Sequence, residues 1–240
     1  MKSLVFNPIR NISIKYYANK KVFNPTRTSK IIIKAIYKKR KLYSKYKKIL
    51  DLGCGTGVLG IAVKKILKKA EINFSDLSPH AIALSKKNLN LNFNKIEYEV
   101  RQSDLLNKWS DKKFDIIVND VSAISSYFKK KNLWYNESIP CDSGLDGVKN
   151  SIKFLNVAAN QCKIIIMPLI SLSNITFVKK YIKRKNLKYT VLAKEDWPLP
   201  INLVKKNCKT LIKMKKKKMI DFKIQYGMYI AYTEVIQIKT

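Results

Sequence analysis

"ILDLGCGTGVLGIAVKK", residues 49 to 65, decides the fold. With the two lysines before it, "KKILDL" is a short apolar run that reads as a buried strand, and the glycines follow at once. Leu59, Ala62, Val63, Ile66 and Leu67 then recur at helical spacing, with Lys64, Lys65, Lys68 and Lys69 on the opposite face. A strand, a tight glycine turn and an amphipathic helix open a βαβ unit. By spelling, Gly55-Thr-Gly57-Val-Leu-Gly60 is the glycine fingerprint of a dinucleotide-binding loop, so a ligand approaches the backbone closely here. A nicotinamide dinucleotide and another adenosine-bearing molecule both fit that spelling.

Asp51 separates the two. A carboxylate beside the loop repels a pyrophosphate but suits a ligand with an ammonium group and a sulfonium centre, as in S-adenosylmethionine. A second acid, Asp76 in "INFSDLSP", ends the next apolar run, where a carboxylate accepts hydrogen bonds from ribose hydroxyls of either ligand. The expected cofactor is S-adenosylmethionine. A dehydrogenase is the rival reading.

"ILDLGCGTGVLGIA", "NFSDLSPHAIALSKKN", "RQSDLL" and "FDIIVND" resemble, in order, the first four motifs of class I S-adenosylmethionine-dependent methyltransferases. Two further stretches, "VFNPTRTSKIIIKAI" at 22–36 and "SGLDGVKNSIKFLNVA" at 143–158, are similar to segments of the release-factor glutamine methyltransferase branch. The resemblance implies a Rossmann-like α/β fold: a seven-stranded, mostly parallel sheet with helices on both faces and the last strand antiparallel. It implies cofactor contacts from Thr28 and Asp51, from Gly53, Cys54, Gly55 and Gly57 of the loop, from Asp76 and Leu77, and from Asp104 and Asn119. Asn119 doubles as a catalytic residue, and Asp51, Asp76, Asp104 and Asn119 are expected to converge on one crevice beyond the strand ends.

The fourth motif departs from the branch. Where the branch reads Asn-Pro-Pro-Tyr, this chain has Asn119, Asp120, Val121 and Ser122. Loss of the aromatic ring removes a stacking partner for a flipped base, and loss of the prolines weakens the case for glutamine. Asp120 adds a carboxylate at the reacting end, which could hold an ammonium or accept its proton, as amine methylation requires. A helix-capping role for Asp120 or Ser122 is the simpler alternative. The segment from Ser122 to Gly147, with Trp134, Tyr135, Pro140, Cys141 and Asp142, reads as a substrate lip, and "EDWPLP" at 195–200 as a second loop bordering the cleft.

Composition bounds the rest. In 240 residues, 46% hydrophobic, one ordinary core can be buried. The longest apolar stretch, near Ile164–Ile170, is too short to span a bilayer, and a soluble, cytoplasmic protein without membrane partners is expected. Cys54, Cys141, Cys162 and Cys208 form no CxxC pair and read as free thiols rather than metal ligands; His80, the only histidine, reads as a surface or cap residue. The net charge of +33 calls for a polyanionic partner, RNA or the ribosome. Yet 44 of the 49 basic residues are lysine beside many Asn and Ile, the mixture that AT-rich codons produce. "KMKKKK" at 213–218 reads as a solvated loop.

The element order read from periodicity is a helix over 29–47, strands at 48–53, 71–75, 95–100 and 114–119 with helices between them, and a helix near 146–160. A strand at "KIIIMPL" and a closing pair at "LKYTVLA" and "MYIAYTEVIQI" complete it. Residues 1–47 form an extension and first helix, 48–240 the main domain. The expected activity is N-methylation of a protein side chain in the translation machinery, a release factor or ribosomal protein. RNA methylation and a non-catalytic adenosyl-binding module docked on RNA are the alternatives.

Overall fold

Alternating side chains build the sheet from both sides. In the computed structural model, which describes residues 2–121, 123–130 and 142–240, the strand β3 (Lys48–Leu52) sends Ile49 to one layer and Leu50 and Leu52 to the other. Its neighbours repeat the pattern. In β6 (Phe114–Asn119), Ile116 and Val118 face the first layer and Ile117 the second, and in β7 (Cys162–Ile170) Ile164 and Ile166 oppose Ile165 and Met167. Strands apolar on both faces must be covered twice. Helices α1 (Arg27–Lys38) and α3 (Val58–Ile66) close the first face; α6 (Lys149–Ala158) and α7 (Ile175–Arg184) close the second.

With β4 (Glu71–Asp76), β5 (Val100–Gln102), β8 (Lys188–Pro198) and β10 (Met228–Lys239), the sheet order is β5-β4-β3-β6-β7-β10-β8. The strands from β5 to β7 are parallel, and β10 runs antiparallel to both β7 and β8. The expected seven strands are all present, with an eighth, three-residue β9 (Lys223–Gln225), paired to β10. Strand order reverses between β3 and β6, so a crevice opens at their carboxyl ends.

The hairpin β1 (Leu4–Ile9) and β2 (Ile12–Tyr16) sends Ile12, Ile14 and Tyr16 into the first layer, beside Ile31, Ile32 and Phe74. The first residues therefore share the core of the sheet. No helix among the described residues is long and apolar enough to cross a membrane.

Several boundaries differ from the periodicity. The helix expected over 29–47 is α1 and a short α2 (Arg40–Tyr43), broken at Lys39. Of the expected third strand, 95–100, only Val100 is in a strand; β5 runs past that range to Gln102 and pairs at the sheet edge with the last three residues of β4. Among the described residues no helix joins β5 to β6. Trp109, fully buried and edge-on to Phe114 with ring centroids 5.4 Å apart, covers the sheet there instead, within a run of turns.

The last third differs most. "EDWP" belongs to β8, where Glu195 to Pro198 pair with β10. "KMKKKK" is the end of a helix, α8 (Ile201–Lys216), and the turn after it. Helix α8 buries Leu203, Leu211 and Met214 in a third cluster with Ile220, Phe222, and with Ile124 and Phe128 of the lip. The lip itself contains a short α5 (Ser126–Lys130), tied to α8 where the Tyr127 hydroxyl donates to Asn207 Oδ1 at 3.0 Å. Trp134, Tyr135, Pro140 and Cys141 lie outside the described residues, and so does Ser122. Cys54, Cys162 and Cys208 are free thiols.

Candidate active site

The glycine turn folds back on the end of β4. Amides of Gly53 and Cys54 donate to the Ser75 carbonyl at 2.8 and 3.0 Å, and the Gly55 amide donates to Asp76 Oδ2 at 2.9 Å. Gly53 sits at φ +76°, and a Cβ there would stand 2.8 Å from Val121 Cγ2, so only glycine lets the loop pass the end of β6. The Asp120 amide donates to the Leu52 carbonyl at 3.0 Å, which joins the ends of β3 and β6. Three chain segments therefore meet at one point.

Between them lies a cavity of about 430 Å³, within the range of small-molecule sites. Gly53, Gly55, Asp76, Leu77, Asp104 and Thr28 line it as the sequence led one to expect, and so does Asp120. Apolar Leu77, Ala81 and Leu105 form one wall, while Trp197 and Pro198 at the end of β8 border the far side. The first turn of α1 forms the rim with Thr26, Arg27 and Thr28.

Other expected site residues stand behind the wall. Asp51 is buried beneath the loop, where its Oδ2 accepts from the Gly60 amide at 2.8 Å and its Oδ1 has no hydrogen-bond partner among the described residues. It supports the turn that the ligand meets. Asn119 is also buried, with its Oδ1 taken by the Val121 amide at 2.9 Å; it shapes the bend rather than facing the cavity. Cys54 is buried, and Gly57, at φ +77°, starts α3. Of the four residues expected at one crevice, Asp76 and Asp104 line the cavity, and Asp51 and Asn119 stand buried behind it. The reason is local, since the end of each strand must satisfy its own loop amides before it can offer an acceptor to a ligand.

Three carboxylates line the cavity, and each is held differently. Asp76 accepts from the amides of Gly55 and Ser78; burial raises its pKa, against the pull of those amides. Asp104 is half-exposed and paired to Lys153 Nζ at 2.5 Å, a contact of small energetic weight. Asp120 accepts from Ser29 Oγ at 3.0 Å, and burial pushes its carboxyl up to about 7 with that hydrogen bond opposing. Sequence reading missed Ser29. Thr26 and Ser29 form the capping box of α1, a spacing visible in "TRTS", but the reach of Ser29 across to Asp120 exists only in the fold.

The donor set fits an adenosyl sulfonium. Asp76 has free lone pairs for ribose hydroxyls, the apolar wall suits an adenine, and carboxylates surround a cavity in a chain of net charge +33. Residues 17–120 match the model of the methyltransferase small domain family. The matched segment runs from the end of β2 through the glycine turn to Asp120.

Over 125 residues the chain is 34% identical to a release factor glutamine methyltransferase of Clostridium acetobutylicum, covering 47% of this chain and 42% of that protein. Over 73 residues it is 40% identical to ribosomal RNA small subunit methyltransferase C of Haemophilus influenzae, covering 30% of this chain and 21% of that protein. The chain thus spans less than half the length of these relatives. A solved ribosomal protein L11 methylase from Lactobacillus delbrueckii shares the fold, with a TM-score of 0.59 at 16% identity over 98% of this chain and 99% of that one.

Burial beneath the loop gives Asp51 a testable signature. Its carboxyl is pushed up to about 8 by burial, with the Gly60 amide opposing and Asp120 and Asp76 adding to the rise. An acid whose folded pKa is raised stabilises the fold while protonated. That contribution is full below about 4, the unfolded value, and is lost as pH rises through about 8. Asp51→Asn stays neutral and keeps an acceptor for Gly60, so its Tm should fall less than the wild type's between pH 5 and 8. Equal slopes in thermal-shift measurements would mean that Asp51 titrates alike in folded and unfolded chains.

Proposed function

We propose that the protein is an S-adenosylmethionine-dependent methyltransferase that methylates a side-chain nitrogen of a protein in the translation machinery. The reading is carried by Asp120, a carboxylate on the cavity wall that titrates near neutral pH beside the glycine turn. A proton acceptor with a pKa near the working pH is what an ammonium nucleophile needs, because the lone pair must be freed before it can attack. When bound, the cofactor supplies a methyl group on a sulfonium, which is transferred by in-line displacement.

The chain's own residues do the rest. Asp76 would accept from ribose hydroxyls, and Leu77, Ala81 and Leu105 would hold the adenine away from water. Ser29 Oγ donates to Oδ2 of Asp120 and so restrains the rotation of the carboxylate. The Clostridium relative's name supports a protein acceptor in translation. The Haemophilus relative's name favours RNA as a second reading, which the serine in place of an aromatic ring at 122 opposes.

Transfer of radiolabelled methyl from S-adenosylmethionine into extract of the source cell, with Asp120→Asn alongside, tests the proposal. Protease-sensitive label that the variant fails to produce is the expected result. Nuclease-sensitive label would move the acceptor to RNA. Cofactor binding by calorimetry with no adenosylhomocysteine formed would leave a binding module, and binding of a nicotinamide dinucleotide instead would restore the dehydrogenase.

A further inference from the structure

The connection between β8 and β10 carries a concentration of charge that the methyl-transfer site does not use. Nine lysines and a single acid, Asp221, fall within residues 201–223. Two of the nine are engaged: Lys215 bridges to Asp221 at 3.3 Å and Lys223 to Asp196 at 2.6 Å. Lys205, Lys206, Lys209, Lys213, Lys216, Lys217 and Lys218 are exposed and make no ion pair among the described residues.

Their arrangement is more specific than their number. At 100° per residue, Lys205, Lys209, Lys213 and Lys216 fall on one face of α8, opposite the buried Leu203, Asn207, Leu211 and Met214. They form a row roughly 16 Å long, with neighbouring side chains about 5–6 Å apart. Like charges at this spacing destabilise a helix, and here no acid on the same helix relieves them. An AT-rich codon bias spreads lysine over tolerant surface. The row on α8 runs into 213–218, where five of six residues are lysine, the densest such stretch in the chain, and no acid on the helix offsets it.

The row is also well placed. Helix α8 starts after Pro200, two residues beyond Pro198 on the cavity wall, and its Asn207 holds the lip through Tyr127. We propose that this face of α8 is a docking surface for the phosphate backbone of RNA, which holds the cleft mouth against its substrate on a ribonucleoprotein. A polyanion whose charges repeat along a strand matches a linear row of cations. The apolar side of α8 is consumed by the third cluster, leaving Ile201 and Ile212 as its exposed large apolar side chains. The inference does not depend on the methyl acceptor, and its test uses no cofactor.

Anisotropy of a fluorescein-labelled 20-nucleotide single-stranded RNA, titrated with the full chain over a series of KCl concentrations, reads the surface directly. Replacing the row by K205Q, K209Q, K213Q and K216Q should weaken binding at least tenfold at 0.1 M salt and flatten the log–log salt dependence by about 3, near 0.7 for each phosphate no longer neutralised. The control carries K38Q, K41Q, K180Q and K183Q, four exposed lysines elsewhere, and should weaken binding less than threefold. Equal weakening in the two variants would overturn the proposal in favour of a diffuse lysine background. Polyglutamate competing as well as unlabelled RNA would overturn it in favour of an acidic protein surface. Circular dichroism and thermal unfolding of the row variant, expected to match the wild type, separate weaker RNA binding from a damaged fold.

Discussion

Asp120→Asn should lower kcat for methyl transfer about 100-fold or more while leaving cofactor affinity within a few-fold. General-base removal typically costs 10²–10⁴, and the substitution is nearly isosteric. Asparagine keeps an acceptor for Ser29 Oγ, so the turn joining β3 and β6 and its amide bond to Leu52 survive. What disappears is the titrating group. With its carboxyl pushed up to about 7, the wild type should gain kcat/KM as pH rises through that value, since only the ionised form accepts a proton. The variant should show no such limb, and steady-state rates from pH 5.5 to 9 check both points. Full activity in the variant would mean that the acceptor arrives without an ammonium proton and that Asp120 only ties β6 to α1.

Gly60→Ala should cost about 2 kcal/mol of stability and lower Tm by about 4–8 °C, although alanine is the better helix former. The added Cβ would lie 2.3 Å from Phe74 Cε1 and 2.8 Å from Asp51 Oδ2, both in fully packed surroundings. Gly60 is what lets α3 settle close enough to β3 and β4 for its amide to reach Asp51. Movement of that helix would pull the glycine turn with it, so cofactor affinity should fall together with Tm. Calorimetry and thermal unfolding read the two effects. An unchanged Tm would show that Phe74 can turn aside without cost.

The strand, glycine turn and helix at 48–66 were legible because both of their periods and their punctuation lie within one short window of sequence. The same holds for Asp76, at the end of its apolar run, and for β10, whose long alternation marks it as a strand, although its place between β7 and β8 is visible only in the fold. The charged helix α8 was harder to see. Its apolar positions are spread thinly among lysines, and its core partners include residues of the lip, far upstream in the chain. Likewise, the hairpin at residues 4–16 packs against α1 and also against α3 and α4 (Pro79–Asn92), elements that follow much later in the chain.

By itself the sequence determined the α/β class, the succession of the central strands along the chain and the place of the acidic residues along them, since these depend on local periodicity and on glycine's freedom at a turn. Tertiary structure decided which acids face the cavity. Asp51 and Asp120 end neighbouring strands and look equivalent in one dimension, but Asp51 spends an oxygen on the helix behind the loop, whereas Asp120 is drawn onto the cavity wall by Ser29 from a helix ninety-one residues earlier. Hydrogen-bond satisfaction among groups distant in sequence makes that choice, and it is fixed only when the chain has closed around them.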